Sequence, residues 1–182
     1  MPFSSKGFSV QSKQKSDELE QELINISSNG NIPILCDTSP CTRSMLQNFS
    51  AKLNVYEPIR FTLEILTQYL DFIQSPKAIA IHSTCSSRTM GLHQDFIKLA
   101  NLCSSDVTVP NNITCCGFAG DKGFNFPELN KSALRTLKSS LKPEIKNAFS
   151  TSKTCEIGLC EHSGIDYNSI FYLVDECTIA KV

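Results

Sequence analysis

The residues most able to carry out chemistry in this sequence lie in the stretch ITCCGFAGDKGF, residues 113–124. Two adjacent cysteines there precede three glycines and a lysine. Neighbouring side chains on a strand point to opposite faces, so two adjacent thiols converge on one point only where the backbone turns. Glycine permits such a turn because it accepts positive φ at little cost. The stretch is therefore predicted to be a loop that directs sulfur atoms toward one site. Its three glycines make a helix there unfavourable.

The cysteine content limits the classes of protein to consider. The chain has nine cysteines in 182 residues, and its N-terminus lacks the apolar segment of a secretion signal. Reduced thiols or metal ligands are therefore favoured over a disulfide framework, and we expect a cytoplasmic location, peripheral to the inner membrane where a partner holds the chain there. The net charge of −1, with scattered basic residues, gives no indication of nucleic-acid binding. No apolar run approaches the roughly 18–20 residues of a membrane span.

Apolar periodicity and turn residues predict alternating strands and helices. Strands are predicted at 32–37, 77–83 and 107–110, and helices at 14–28, 39–52, 58–73, 86–102, 126–141 and 168–177. This alternation predicts an α/β fold with a parallel sheet flanked by helices. On the first helix, Leu19, Leu23 and Ile26 form one stripe that is expected to face the core.

Four cysteines follow predicted strands or lie in loops, at Cys85, Cys115, Cys116 and Cys155. The carboxyl ends of parallel strands meet at one edge of a sheet, where ligands usually bind. The sequence therefore predicts a cysteine-rich site at that edge, and thiolates there suit soft metals and iron–sulfur clusters. His82 ends the strand before Cys85 and is a further candidate ligand.

The remaining thiols are expected to play other roles. Cys103 and Cys177 have apolar, helical neighbours and are predicted to be small core residues. Lys122 follows the adjacent cysteines closely enough to offset the negative charge of thiolates.

An internal echo suggests a duplicated unit. The segment at 2–8 resembles 118–124, and Cys36-x4-Cys41 resembles Cys155-x4-Cys160 at nearly the same offset. Residues 1–52 are therefore predicted to be the C-terminal remnant of a first unit, packed as one globular body with a complete second unit at 53–182. On this hypothesis the chain is a fragment of something longer, and Cys36 and Cys41 hold no metal because their partners are missing.

Four longer blocks carry a family resemblance: HSTCSSRTMG, CCGFAGDKGF followed by PELN, SKTCEIGL and SGIDYNSIFYLVDE. The order Cys…Cys-Cys-Gly…Cys resembles the cysteine-rich CCG domain of heterodisulfide reductases and of the iron–sulfur subunits of glycolate oxidase. Over nearly all of its length, the chain is similar to the C-terminal part of FAD-linked D-lactate dehydrogenase/oxidase proteins.

The resemblance implies a cofactor and the residues that hold it. The family's cysteines bind an unusual, non-cubane [4Fe-4S] cluster in some members and zinc in others. The implied ligands here are Cys85, Cys115, Cys116, Cys155 and Cys160, with Lys122, Gly117 and Gly120 as further cofactor-binding residues. The family pattern ends in Cys-x-x-Cys, whereas this sequence has Gly158 three residues after Cys155 and its next cysteine at Cys160.

The resemblance also implies a role in electron transfer without catalysis by this chain alone. Its partners would be flavin- and ferredoxin-type subunits or domains of the same oxidoreductase, and FAD would be bound by one of them. The glycines at 117–123 do not follow the G-x-G-x-x-G of a dinucleotide-binding fold. Two alternatives remain open: a structural zinc module that mediates subunit docking, and a metal-free thiol module from a truncated gene product.

Overall fold

The computed structural model describes residue 3 and residues 6–50 and 53–181. Its centre is a four-stranded parallel sheet in the order β5-β4-β6-β7. The strands are β4 (Ser75–Ile81), β5 (Ser104–Thr108), β6 (Asn147–Ser150) and β7 (Asp166–Ser169). The predicted α/β fold with a parallel sheet flanked by helices is confirmed.

Two short strand pairs accompany the main sheet. β1 (Ile34–Leu35) pairs in parallel with β2 (Val55–Tyr56), and β3 (Leu70–Phe72) pairs antiparallel with β8 (Thr178–Ala180). The helices are α1 (Ser9–Ile26), α2 (Ser39–Asn48), α3 (Pro58–Glu64), α4 (Cys85–Thr89), α5 (His93–Cys103), α6 (Lys122–Asn125), α7 (Pro127–Ala133), α8 (Lys153–Ser163) and α9 (Ile170–Glu176), with 3-10 turns at Leu66–Gln68 and Lys138–Ser140. Among the described helices, none combines the length and the apolar composition needed to cross a bilayer.

Side chains of β4 alternate across the sheet and enter two hydrophobic cores. Ile79 and Ile81 face one core, whose other buried members include Ile59, Phe96, Leu99, Phe149, Ile170 and Leu173. Ala80 faces the second core, which includes Ile113, Leu134, Leu137, Ala148, Leu159 and Tyr167. The sheet is therefore the middle layer of the fold, which explains why its central strand is apolar on both faces.

The predicted helix at 58–73 is wrong beyond Glu64. The chain leaves α3 through the 3-10 turn at Leu66–Gln68 and then forms β3, because β3 finds a hydrogen-bonding partner in β8 near the other end of the sequence. Periodicity within the segment carries no information about so distant a partner, and tertiary pairing overrides local helix preference.

Other predicted elements are shifted or divided. The helix predicted at 86–102 is two helices, α4 and α5, separated at Gly91, whose φ of 78° interrupts helical geometry. The segment at 126–141 is helical only in α7 and the second 3-10 turn, and the predicted strand at 32–37 pairs only over β1. Local patterns did not predict α8, β7 or β8.

The predicted burial of the first helix is also wrong. Leu19 and Ile26 are 39% and 66% exposed, and α1 has no buried residue. The stripe faces outward because α1 lies outside the two cores formed around the main sheet. The helix ends at Ile26, two residues before the predicted end, and Ser28, Asn29 and Gly30 all have positive φ.

The division into two units at residue 52 stays a prediction. Residues 51 and 52, and Pro2, Ser4 and Ser5 of the internal echo, lie outside the described residues. Contacts do cross this division, since β1 pairs with β2 and the backbone N–H of Ser39 donates to the carbonyl of Thr151 at 3.0 Å.

A buried network of hydroxyl groups joins the starts of α2 and α4 to the end of β6. Ser39 Oγ lies 2.6 Å from Thr151 Oγ1 and 3.0 Å from Ser87 Oγ, which also lies 2.9 Å from Thr84 Oγ1. Glu57 extends the network, because its Oε2 accepts from Ser39 Oγ at 3.2 Å. All five side chains are at most 1% exposed, so their polar atoms must find hydrogen-bond partners inside the protein.

Glu57 contributes a carboxyl group to this network and also caps α3. Its Oε1 accepts from the backbone N–H groups of Ile59 and Arg60 at 2.7 and 3.0 Å. Burial nevertheless raises its pKa from 4.5 to about 7, against the opposing effect of these hydrogen bonds. The carboxyl group is protonated in the folded chain at pH values where it ionises in the unfolded chain. The contribution of Glu57 to the free energy of unfolding is therefore fully present below pH 4.5, and it is lost as the pH rises toward about 7.

We expect the Glu57→Gln variant to lose this pH dependence. Between pH 4.5 and about 7, the free energy of unfolding of the wild type should fall relative to the variant by about 3 kcal/mol. Urea unfolding across this range measures the difference. The matched control is Glu64→Gln, which removes an exposed carboxylate of α3 and should leave the wild-type profile unchanged. Parallel profiles for wild type and Glu57→Gln would contradict the assignment.

Candidate functional site

Three neighbouring strands of the sheet lead to the candidate site. Cys85 is the first residue of α4, which follows β4, and Cys115 and Cys116 lie in the loop after β5. Cys155 lies in the first turn of α8, which follows β6. Since β5, β4 and β6 are adjacent and parallel, their carboxyl ends deliver the four cysteines to one edge of the sheet.

The four thiols form a chain of contacts in the order Cys85, Cys115, Cys116, Cys155. Cys116 Sγ donates to Cys155 Sγ at 2.9 Å. The thiol of Cys116 also interacts with Cys115, and Cys115 interacts in turn with Cys85. We refer to these four residues as the thiol cluster.

Protons are distributed unevenly along the thiol cluster. Hydrogen bonds from Cys116 and then from Cys85 lower the pKa of Cys115, and the hydrogen bond from Cys116 lowers that of Cys155. The pKa values of Cys85 and Cys116 are raised, in each case mainly by the interaction with Cys115. Lowered and raised pKa values therefore alternate along the chain of contacts, and thiolate is the form of cysteine that binds metals.

The thiol cluster has a buried half and an open half. Cys116 and Cys155 are 4% and 6% exposed, whereas Cys85 and Cys115 lie at the surface. Solvent can therefore reach one end of the cluster, while the other end lies in the second hydrophobic core.

Gly117 makes the turn that lets the adjacent cysteines converge. Its φ is 74°, and its N–H donates to Cys115 Sγ at 3.3 Å. A Cβ at this position would lie 2.5 Å from the carbonyl oxygen of Leu129, so the turn packs directly against α7. Gly120 also has positive φ, at 80°, but a Cβ there would meet open space. The loop ends in the single helical turn α6. The sequence did not predict this turn, because three glycines in the segment disfavour a helix.

His82 lies buried close to the thiol cluster. It is 2% exposed, and its Nε2 has no hydrogen-bond partner among the described residues. Burial, followed by the charge of Arg88, lowers its pKa to about 4, while Cys115 acts in the opposite direction. The imidazole is therefore neutral at physiological pH, which is the form that a metal ligand requires.

Asn130 occupies the space where the family pattern expects a final cysteine. A Cβ on Gly158 would lie 2.4 Å from Asn130 Nδ2 and 2.8 Å from its Oδ1. Asn130 is buried, and its Nδ2 donates to the carbonyl of Cys116. It was not recognised from the sequence as a site residue, although it is the last residue of the PELN block.

The structure does not bring Cys160 to the thiol cluster. Its Sγ accepts from the N–H of Tyr167 at 3.1 Å and lies 3.6 Å from the carbonyl oxygen of the same residue. Cys160 therefore faces β7, away from Cys155, although both belong to α8. Lys122 is exposed at the start of α6.

The remaining cysteines form two separate pairs. Cys103 and Cys177 are buried in the first hydrophobic core, as predicted, and Cys177 Sγ donates to the carbonyl of Cys103 at 3.4 Å. Cys36 and Cys41 are half-buried and interact with each other.

The donors of the thiol cluster suit a soft metal or an iron–sulfur cluster in number and kind. Their spacing is that of hydrogen-bonded thiols, because two sulfurs on one tetrahedral zinc stand roughly 3.8 Å apart, farther than Cys116 and Cys155. Within the described ranges, no group of three or more His, Cys, Asp or Glu side chains is arranged to hold a metal ion. Metal binding would therefore require loss of the thiol protons and separation of the sulfurs.

A scan against models of known protein families found no match, and neither did a search of curated proteins. The resemblance to the CCG family therefore stays a prediction that rests on the sequence blocks quoted above.

The two glycines of the loop offer a matched pair of substitutions. Gly117→Ala should lower the free energy of unfolding by about 2–4 kcal/mol, because it adds a backbone clash to the strain of positive φ. Gly120→Ala bears only the strain and should cost about 1–2 kcal/mol. Urea unfolding of both variants measures the difference. Equal losses would show that close packing of the loop on α7 contributes nothing.

A substitution that restores the family pattern should be poorly tolerated. Gly158→Cys should lower the free energy of unfolding by about 1–3 kcal/mol, because its Cβ overlaps the side chain of Asn130. In an Asn130→Ala background the same substitution should cost at least about 1 kcal/mol less, a coupling that a double-mutant cycle measures. If the losses in free energy of unfolding are additive, contact with Asn130 does not explain why position 158 is glycine and not cysteine.

Proposed function

We propose that the thiol cluster binds an iron–sulfur cluster or zinc and that this chain is the electron-transfer part of an FAD-linked D-lactate dehydrogenase or glycolate oxidase-type oxidoreductase. One observation carries the proposal: four thiols that are distant in sequence meet at the carboxyl edge of the parallel sheet. The sequence blocks around these thiols supply the class of oxidoreductase. The chain would not be catalytic alone.

Each residue of the site has a distinct part in this proposal. Cys116 and Cys155 anchor the cofactor from the buried side, and Cys85 and Cys115 hold it where a partner can approach. The N–H of Gly117 donates to the sulfur of Cys115, and such hydrogen bonds adjust the reduction potential of a thiolate-bound cluster. Bound there, an iron–sulfur cluster would accept and release electrons one at a time.

The partners follow from the same proposal. FAD would be held by another domain or subunit, where the hydroxy acid is oxidised, and ferredoxin-type clusters would connect that flavin with this chain. We propose a cytoplasmic location, with attachment to the inner membrane through these partners.

A structural zinc site is the second candidate function, and the geometry around Gly158 favours it. Asn130 fills the space of the expected cysteine, and Cys160 faces β7. Four sulfurs then remain, which is the number that closes a tetrahedral zinc site. In this case the site would stabilise the fold and a docking surface without carrying electrons. A metal-free thiol module remains the third alternative.

Metal analysis of protein purified without oxygen tests these candidates. We expect stoichiometric iron with broad visible absorption, and loss of both in Cys115→Ser and Cys155→Ser. Cys103→Ser, which alters a buried thiol outside the thiol cluster, is the matched control and should retain the metal. Stoichiometric zinc without visible absorption would favour the structural site. Protein that holds neither metal after reconstitution would exclude both candidates.

A further inference from the structure

The two buried sulfurs of the thiol cluster lie close to bonding distance. Cys116 Sγ and Cys155 Sγ are 2.9 Å apart, although 39 positions separate the two residues in the sequence. A disulfide bond is about 2.05 Å long, so the sulfurs need to approach by only about 0.9 Å to form one. Two sulfurs on one tetrahedral zinc stand roughly 3.8 Å apart. The observed distance therefore lies midway between a disulfide and a metal site.

The fold fixes the backbone on both sides of this sulfur pair. Asn130 Nδ2 donates to the carbonyl of Cys116, and the turn at Gly117 packs directly against α7. Cys155 lies in the first turn of α8. Both cysteine side chains belong to the second hydrophobic core. We therefore expect rotation of the two side chains to suffice for the approach of the sulfurs, with the backbone left in place.

The hydrogen bond makes the two sulfurs chemically unequal. Cys116 Sγ donates and Cys155 Sγ accepts. Cys155 also lies at the start of an 11-residue helix, where the N–H groups and the helix dipole favour a thiolate. Cys115, which precedes Cys116, is exposed, so the pair lies one residue beneath the solvent. A small uncharged oxidant such as a peroxide suits this approach from the open end of the thiol cluster.

We infer that Cys116 and Cys155 form a redox modification site, at which a peroxide joins the two sulfurs in a disulfide that excludes metal from the thiol cluster. The Cys155 thiolate attacks one oxygen of hydrogen peroxide, and the O–O bond breaks. Hydroxide leaves and takes up the proton that Cys155 had lost, which gives water and a sulfenic acid on Cys155. The sulfur of Cys116 then attacks Cys155 Sγ, and the S–O bond breaks. Hydroxide leaves with the thiol proton of Cys116 as a second water. The two sulfurs have lost two electrons, and the peroxide has been reduced to two molecules of water.

Disulfide formation and metal binding exclude each other at these two residues. Metals bind cysteine as thiolate, and a sulfur in a disulfide is no longer a thiolate. Oxidation therefore removes two of the four proposed ligands, both from the buried side of the thiol cluster. Because linked equilibria are reciprocal, a bound metal in turn protects both sulfurs from oxidation. The exclusion of metal rests on the proposed function, whereas formation of the disulfide does not.

Peptide mapping of the oxidised full chain tests formation of the disulfide. The chain is stripped of metal with a chelator, reduced, exposed to hydrogen peroxide, alkylated at acidic pH and digested with trypsin. Cleavage after lysine and arginine places Cys116 in the peptide 99–122 and Cys155 in the peptide 154–181. We expect the two peptides to be joined, and tandem mass spectrometry to assign the bond to Cys116 and Cys155. Assignment of the bond to other cysteines, or the absence of a joined peptide, would overturn the inference.

Single substitutions test the assignment independently. Cys116→Ser and Cys155→Ser should each lower the yield of the joined peptide at least about tenfold. Cys103→Ser and Cys177→Ser are the matched controls, because each removes another buried thiol from the same two peptides and should leave the yield unchanged. Circular dichroism verifies that the variants fold, and the mapping of the wild type does not depend on them. A joined peptide that persists in Cys116→Ser and disappears in Cys103→Ser would contradict the assignment.

Zinc uptake, measured with Zn²⁺ alone, tests the exclusion of metal. The oxidised chain should bind less than about one tenth of the zinc that the reduced chain binds, and a dithiol reductant should restore binding. Zinc-loaded chain should form the joined peptide at least about tenfold more slowly than metal-free chain. Equal zinc uptake by the reduced and the fully joined chain would overturn the exclusion. If the reduced chain binds neither zinc nor iron, the proposed function fails, while the joined peptide still decides whether Cys116 and Cys155 form a modification site.

Discussion

Parallel pairing of β4 with both β5 and β6 forces the chain to leave three neighbouring strands at the same edge of the sheet. The segments that follow these strands carry the thiol cluster, so its assembly depends on this pairing. The buried hydroxyls of Ser39, Ser87 and Thr151 lie at the same edge and satisfy one another. Because buried polar groups cost free energy when they lose a partner, this network resists any shift of the helices that begin there. The thiol cluster thus lies at an edge of the sheet that this hydroxyl network holds in place.

Asn130 connects the two buried sides of the thiol cluster. A Cβ on Gly117 would lie 3.0 Å from its Cα, and a Cβ on Gly158 would overlap its amide, so the loop and α8 both pack against this one residue. Its Nδ2 also donates to the carbonyl of Cys116. This hydrogen bond fixes the backbone of the loop at the point where the adjacent cysteines lead into the turn at Gly117. The absence of a cysteine at position 158 is therefore matched by a neighbour that fills its volume. Zinc requires no fifth sulfur, whereas the ligand pattern of the CCG family includes one.

The sequence predicted the parallel sheet because the segments at 77–83 and 107–110 are short, largely apolar and separated by helical periodicity. It also placed Cys85, Cys115, Cys116 and Cys155 after strands or in loops, which sufficed to expect them at one edge. It could not predict β3, because the partner strand β8 lies at a distance that local patterns do not report. The prediction that the apolar stripe of α1 is buried failed for a similar reason. Periodicity identifies an apolar face of a helix but does not show whether the rest of the fold covers that face. Asn130 escaped notice because its importance arises from contacts with two glycines that have no side chain to signal them.

The two Cys-x4-Cys segments have equal spacing and opposite outcomes, and the position of each helix start explains the difference. Cys155 and Cys160 both lie within α8, where five residues correspond to a rotation of about 140° around the axis. Their thiols consequently face different neighbours, the thiol cluster and β7. Cys36 instead precedes α2, so the chain turns between it and Cys41 and their thiols meet. Spacing alone therefore cannot decide whether two cysteines share a site, because a shift of the helix start by a few residues converts a divergent pair into a contacting one.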